Sequence, residues 1–494
     1  MQNVIRLSCV GHSLAHFNII QENAHMLCAL ARVPRVPRVL KGRVSASAWR
    51  AGCLGVAWLS FVLAGCDARG PVDDTLANSA VTKPGTQAGL PAVAVAGASA
   101  ASASVVQVAA TRGGQTRAEV YESVRKMTAL GKQLFFDPSL SGSGKLSCAS
   151  CHSPEHAFTP ANSLAVQLGG SDMRQPGMRA VPTLKYLQSV PAFTEHFHDS
   201  EDEGDESVDA GPTGGLTWDG RVDRGSDQAR IPILSTFEMG STPGQVTAAV
   251  KAAPYSNAFR AAFGERIFDD PEATFKAVLQ SLETFEQTPE TFYPYTSKYD
   301  AFLAGKTQLT AAELHGLQLF NDESKGNCAS CHLSERAKDG SPPQFTDFGL
   351  IAIGVPRNRA LVVNRDPHFF DLGACGPERT NLKGRDEYCG IFRTPTLRNV
   401  ALKKRFFHNG IYRSLDEVVR FYAERDTNPE KFYPVVKGRV AKFDDLPKRY
   451  WANLNTEPPF DRKPGEQPAL NEAEIKDVVA FLNTLTDGYE PPAR

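Results

Sequence analysis

Two pentapeptides carry the most specific chemistry in this 494-residue chain: Cys148-Ala-Ser-Cys151-His152 and Cys328-Ala-Ser-Cys331-His332. In a C-x-x-C-H run, two thiols can add to the vinyl groups of a porphyrin while the adjacent imidazole ligates its iron. The run is therefore a c-type haem attachment signature. One copy would also suit half of a Cys/His zinc site. Two copies, identical even at the intervening Ala-Ser, argue against zinc and predict two covalently attached haems. Cys375 and Cys389 share one loop and could pair as a disulfide in an oxidising compartment. The other four cysteines, Cys9, Cys28, Cys53 and Cys66, precede the folded region.

Helices must position these motifs. RAEVYESVRKMTALGKQLFF, from Arg117, places Val120, Val124, Met127, Leu130 and Leu134 at helical spacing ahead of the first motif. Ahead of the second, Thr310-Ala-Ala-Glu313 is a capping box that opens TAAELHGLQLF. Both halves thus read as helix, Leu-Phe, short Gly-containing turn and C-x-x-C-H, which is a duplicated unit. Further helical stretches fall at 244–263, 271–287, 415–424 and 472–485, the last capped by Asn471 and Glu474. No long strand-rich segment is present. The expected fold is mainly α, with two cytochrome c-type haem domains in tandem over 116–300 and 301–494.

The N-terminal sequence speaks to the compartment. After Arg50, AGCLGVAWLSFVLAGC is an apolar run too short to span a bilayer comfortably. Leu63-Ala64-Gly65-Cys66 resembles the bacterial lipobox, cleaved before a cysteine that then carries lipid; Asp67 resembles an inner-membrane retention signal. Residues 1–66 read as an export or lipoprotein-type signal region, and Ala/Ser/Gly-rich 67–115 as a flexible tether. A periplasmic location, with an inner-membrane lipid anchor, agrees with covalent haem attachment outside the cytoplasm. The net charge of −1 gives no bulk attraction for nucleic acid.

Over 125–489 the chain resembles the bacterial di-haem cytochrome c peroxidase/MauG family. The resemblance rests on LGKQLFFDPSLSGSGKLSCASCH, TWDGR (217–221), the run from Gln228 to Met239, FRTPTLRNVAL (392–402), FFHNG (406–410), SLDEVVRFY (414–422) and AFLNTLTDG, in that order. It implies reduction of hydrogen peroxide at the His152 haem, with electrons from a small redox protein such as a cytochrome c or cupredoxin. It implies that Glu238 is the acid–base group, that Gln228 orients peroxide or water beside Pro232, and that Trp218 lies between the haems. On a second haem held by His332, the family's alternative to a Met ligand falls on Tyr422. The six methionines end at Met239, so none in the C-terminal half can ligate that iron. A tyrosine oxygen favours ferric and higher states, whereas Met raises the potential. His408 is the competing ligand.

The family pattern is broken in several places. Members that need reductive activation carry a distal His in the stretch that here reads GGSDMRQPGMRAVPTL, so the His152 haem is expected to be open at rest. Met173 and Met178 are the minor candidates to fill the position, and His156, His196 and His198 are not expected to reach it. The family's calcium ligands fall on Ala180, Lys403 and Arg405, which makes Ca2+ doubtful and suggests that the basic side chains replace its charge. A surface Trp used for remote oxidation of a partner protein falls on Gly326. The rival functions are MauG-like oxidation of a protein or organic substrate and non-enzymatic electron carriage.

Overall fold

Gly131 and Gly316 occupy equivalent places in the two halves, each three residues before a Leu-Phe pair, and each marks a helix crossing. In the computed structural model a β-carbon on Gly131 would lie 1.9 Å from the Ser281 carbonyl oxygen, and one on Gly316 1.9 Å from that of Asp477. No side chain fits between backbones that close. The structure describes residues 116–198 and 209–491. Residues 1–115, where the sequence reading puts the export signal and tether, and residues 199–208 and 492–494 lie outside them.

Eight helices of eight residues or more order these residues: α1 Arg117–Phe135, α2 Gly225–Leu234, α3 Pro243–Ala252, α4 Ser256–Phe263, α5 Pro271–Glu286, α6 Ala311–Asn321, α7 Leu415–Glu424 and α8 Glu472–Asn483. Three antiparallel two-stranded ladders, each with two residues per strand, are the named sheets among them. The chain is mainly helical here. None of these helices is long and apolar enough to cross a membrane.

The local signals explain most boundaries. Thr310 and Glu313 cap each other's backbone N–H at the start of α6, and Asn471 and Glu474 do so at α8. The stretch 244–263, read from sequence as one helix, is two, because Pro254 has no N–H to continue the ladder. Only the C-terminal part of the α1 stripe is core: Leu130, Leu134 and Phe135 are buried, whereas Val120 and Val124 are exposed.

α1 packs along α5, and α6 along α8. The first pair belongs to an apolar cluster holding Leu134, Phe135, Phe158, Leu282, Phe285 and Phe292; the second belongs to one holding Tyr299, Phe320, Phe345, Ile475 and Phe481. Each large side chain so buried contributes about 1.5–3 kcal/mol. A third cluster surrounds a Cys375–Cys389 disulfide with a Cα–Cα distance of 4.9 Å. The halves are tied by polar contacts. Arg398 makes a two-pronged ion pair with Asp300, both bonds 2.9 Å, and its guanidinium lies over the rings of Tyr186 and Tyr295. Lys185 and Tyr186 both bond Asp487, at 2.9 and 2.7 Å.

Candidate active site

Each Cys-x-x-Cys-His run opens on a short helical turn, and its histidine N–H donates to the carbonyl of the first cysteine: His152 to Cys148 at 2.9 Å and His332 to Cys328 at 2.8 Å. The imidazoles are then fixed in matching ways. His152 Nδ1 bonds the Phe158 carbonyl at 2.8 Å, and His332 Nδ1 bonds the Phe345 carbonyl at 2.9 Å. A carbonyl only accepts, so Nδ1 carries the proton and Nε2 presents a lone pair. Burial pushes both imidazoles down to about 4 and keeps them neutral. None of the four cysteines of the two runs is in a disulfide.

Each motif opens onto a cavity. Cys148, Cys151 and His152 line one of about 1460 Å³, and Cys328, Cys331 and His332 line one of about 1900 Å³, both partly open to solvent. The cavities adjoin: Trp218, Arg393, Pro182, Thr183 and Leu187 line both. Trp218 is buried, its indole N–H donating to the Ala180 carbonyl at 2.7 Å.

The first cavity gathers Gln228, Pro232 and Glu238 with His152. Gln228 and Pro232 are one turn apart on α2, and the missing N–H of Pro232 leaves the Gln228 carbonyl without its helical donor. The turn after α2 holds Glu238: its N–H donates to Ser235 at 3.1 Å, and its carbonyl accepts from Gly170 at 2.7 Å. Burial raises the Glu238 carboxyl above the ordinary carboxylate range; Arg221 opposes that shift and Glu378 adds to it.

In the second cavity Tyr422 projects from α7 and lines the same space as His332, its ring stacked on Phe460 at 5.5 Å. Burial holds the phenol proton well above its usual range. His408 also lines this cavity, stacked on Phe392 with ring centroids 3.7 Å apart. Of the other candidate ligands of the first site, Met178 lines that cavity. Met173, His156, His196 and His198 line neither cavity; His156 bonds Ser153, and His196 pairs with Asp209 on the surface. Lys404 donates to the Ala161 carbonyl at 2.9 Å and Arg405 to that of Ser163 at 2.6 Å, beside the half-buried Lys403.

The family model for di-haem cytochrome c peroxidase matches residues 125–308. The methylamine utilization protein MauG of Paracoccus denitrificans is 33% identical over 385 residues, covering 74% of this chain and 90% of that protein. This chain belongs to the di-haem cytochrome c peroxidase/MauG family. The cytochrome c551 peroxidase of Nitrosomonas europaea is 29% identical over 367 residues, covering 74% of this chain and 81% of that protein. The crystal structure of the diheme peroxidase BthA from Burkholderia thailandensis superposes with a TM-score of 0.65 at 38% identity, covering 73% of this chain and 86% of that one. The protein is accordingly a peroxidase-type oxidoreductase with two covalently bound c-type haems.

The residues present suit that cofactor. Each cavity offers two thiols and one neutral imidazole nitrogen. Between the cavities lies a cation that needs an anion: the Arg393 guanidinium makes a single hydrogen bond, from Nε to the Thr217 carbonyl at 3.1 Å, and no ion pair among the described residues. Burial pulls it down to about 10. A buried unpaired guanidinium is costly, and the carboxylates of a bound haem would supply a partner of the right charge. Arg393 and Arg221 stood inside FRTPT and TWDGR, but nothing in the sequence gave them a task. Two other carboxyls of the first cavity, Glu286 and Glu378, carried no signal at all.

Proposed function

We propose that this protein reduces hydrogen peroxide to water at the His152 side and takes the electrons through the His332/Tyr422 side. The observation that carries the reading is the convergence of Gln228, Pro232 and Glu238 on the cavity of His152. The haem held there supplies the redox-active iron. The side chains do the rest. Glu238 takes the proton from one peroxide oxygen and returns it to the other, so that the departing oxygen leaves as water. The Gln228 amide orients peroxide. Overall, one peroxide, two electrons and two protons give two waters. Trp218, on the wall of both cavities, is the route between the two sides, and the tandem haem domains 116–300 and 301–494 divide the work. Lys403, Lys404 and Arg405 supply positive charge where relatives would use Ca2+. Residues 1–66 direct export to the periplasm, with Cys66 as the lipid anchor and 67–115 as the tether, so a small periplasmic redox protein is the donor.

The test is the absorption spectrum of the diferric protein before and after peroxide, without reductant. An immediate change that Glu238→Gln abolishes supports the reading. No reaction until one electron is added would mean that the site is blocked at rest, with Met178 on the cavity wall as the first suspect. A second reading, peroxide-driven oxidation of a protein or organic substrate, is favoured by Tyr422 on the second cavity in place of a methionine. Turnover with reduced cytochrome c separates the two, since only the peroxidase consumes it.

A further inference from the structure

Glu238 is desolvated, yet the reaction must draw two protons from solvent for every peroxide. The cavity wall shows where they can enter. Arg221 and Glu378 line the same cavity as Glu238 and form an ion pair at 3.3 Å, with side chains 16% and 24% exposed. Both side chains reach solvent, and both act electrostatically on the Glu238 carboxyl. Arg221 is anchored on its other side by Asp219 at 2.9 Å, and Asp219 is completely buried and also held by Arg179 at 2.6 Å.

Glu378 comes from the other half of the chain. It sits on the loop closed by Cys375–Cys389, three residues after the first of these cysteines. The next residue, Arg379, pins the loop down: its Nη1 donates to the carbonyls of Asp219 and Gly220 at 2.8 and 3.2 Å, and its guanidinium lies 3.7 Å from the Phe193 ring centroid. A loop fastened at its root and beside Glu378 delivers one carboxylate to a cavity whose haem motif lies more than two hundred residues earlier. A stability role alone does not require an acid that faces both the cavity and water.

We propose that Glu378, paired with Arg221, is the proton entry of the peroxide site, passing protons from solvent to Glu238. In each transfer Glu378 takes a proton from water and releases one inward, directly or through an intervening water, so it ends as it began. Glu238 is the group it recharges. The charged groups that act on Glu238 are Arg221, which favours its ionised form, and Glu378, which disfavours it. Asp219 and Arg179 act through Arg221.

This inference rests on the peroxidase reading, and the test separates the two. In the di-haem protein, the second-order rate of reaction with peroxide is followed against pH, in H2O and D2O, for wild type, Glu378→Gln, Glu378→Asp and Glu238→Gln. Glu378→Gln is expected to slow the reaction on the order of tenfold, at the low end of general acid–base effects, and to enlarge the solvent isotope effect. It also removes a like charge, so the acid limb set by Glu238 moves to lower pH. Glu378→Asp restores most of the rate. A Glu378→Gln protein with wild-type rate, limb and isotope effect overturns the inference. So does a uniform slowing with the limb unmoved and no rescue by Asp, which is the mark of a structural role. If Glu238→Gln reacts at the wild-type rate, it is the peroxidase reading that fails.

Discussion

Replacing Gly316 by alanine adds one methyl group, and the structure says where it goes. The new carbon lands 1.9 Å from the Asp477 carbonyl oxygen, 2.5 Å from its carbon and 2.9 Å from Phe481 Cβ. Ordinary contact needs ~3.5 Å, so α6 and α8 must separate by roughly 1.5 Å along that line. Neither obstacle is a flexible chain end; two of the three are helix backbone. The separation would loosen Leu319, Phe320, Ile475 and Phe481, all buried in one cluster. Overpacking typically costs 1–3 kcal/mol, and a backbone obstacle puts Gly316→Ala at about 3 kcal/mol or above. Gly244, in the first turn of α3, is the control, because a β-carbon there meets nothing within 4 Å. The same substitution should stabilise by up to ~1 kcal/mol, since alanine is the better helix former. Denaturant unfolding of the haem-loaded protein reads both. Because α6 leads into Cys328-x-x-Cys-His332, Gly316→Ala should also perturb the second haem's spectrum before the first. A Gly316→Ala protein within 0.5 kcal/mol of wild type would refute the crossing geometry.

Replacing Cys375 and Cys389 together by serine opens a loop with a sequence separation of 14. Chain entropy sets the expected loss at about 3 kcal/mol, and an unshifted denaturation midpoint would show that the loop is held by packing alone. Tyr422→Phe keeps the ring stacked on Phe460 and removes only the hydroxyl that faces the His332 cavity. The second haem's spectrum should change and the first haem's should not; an unchanged spectrum would return the ligand role to His408. Arg393→Met removes a buried positive charge from the wall of both cavities. Loss of a cation favours the more positive ferric state, so both midpoint potentials should fall in a spectroelectrochemical titration. Potentials that stay in place would mean that Arg393 does not face the haem carboxylates.

Local chemistry is what the sequence states plainly. The Cys-x-x-Cys-His runs, the capping pairs Thr310/Glu313 and Asn471/Glu474, and the helical spacing of α1 depend on residues a few positions apart, and the structure repeats them. Pro254 was equally visible, and its splitting of 244–263 follows from a missing N–H. The α1 stripe predicts its helix, but the extent of that helix's burial is a separate matter. Periodicity shows which face of a helix is apolar, but not how far the partner helix runs, and Val120 and Val124 are left exposed. Long-range neighbours are not encoded in spacing at all. The five wall residues shared by the two cavities come from 182–218 and from 393. Glu378 meets Arg221 across the two halves because a disulfide and Arg379 bring a loop back over the first cavity. The glycines connect the two levels. Gly131 and Gly316 look unremarkable in sequence, one in each repeat of Gly-x-x-Leu-Phe, yet each permits a backbone approach that no other residue allows. That approach sets the helix that leads into a haem motif. The duplication therefore repeats a crossing geometry as well as a Cys-x-x-Cys-His motif, and the proposed division between peroxide and electrons rests on the differences between the cavities, Glu238 in one and Tyr422 in the other.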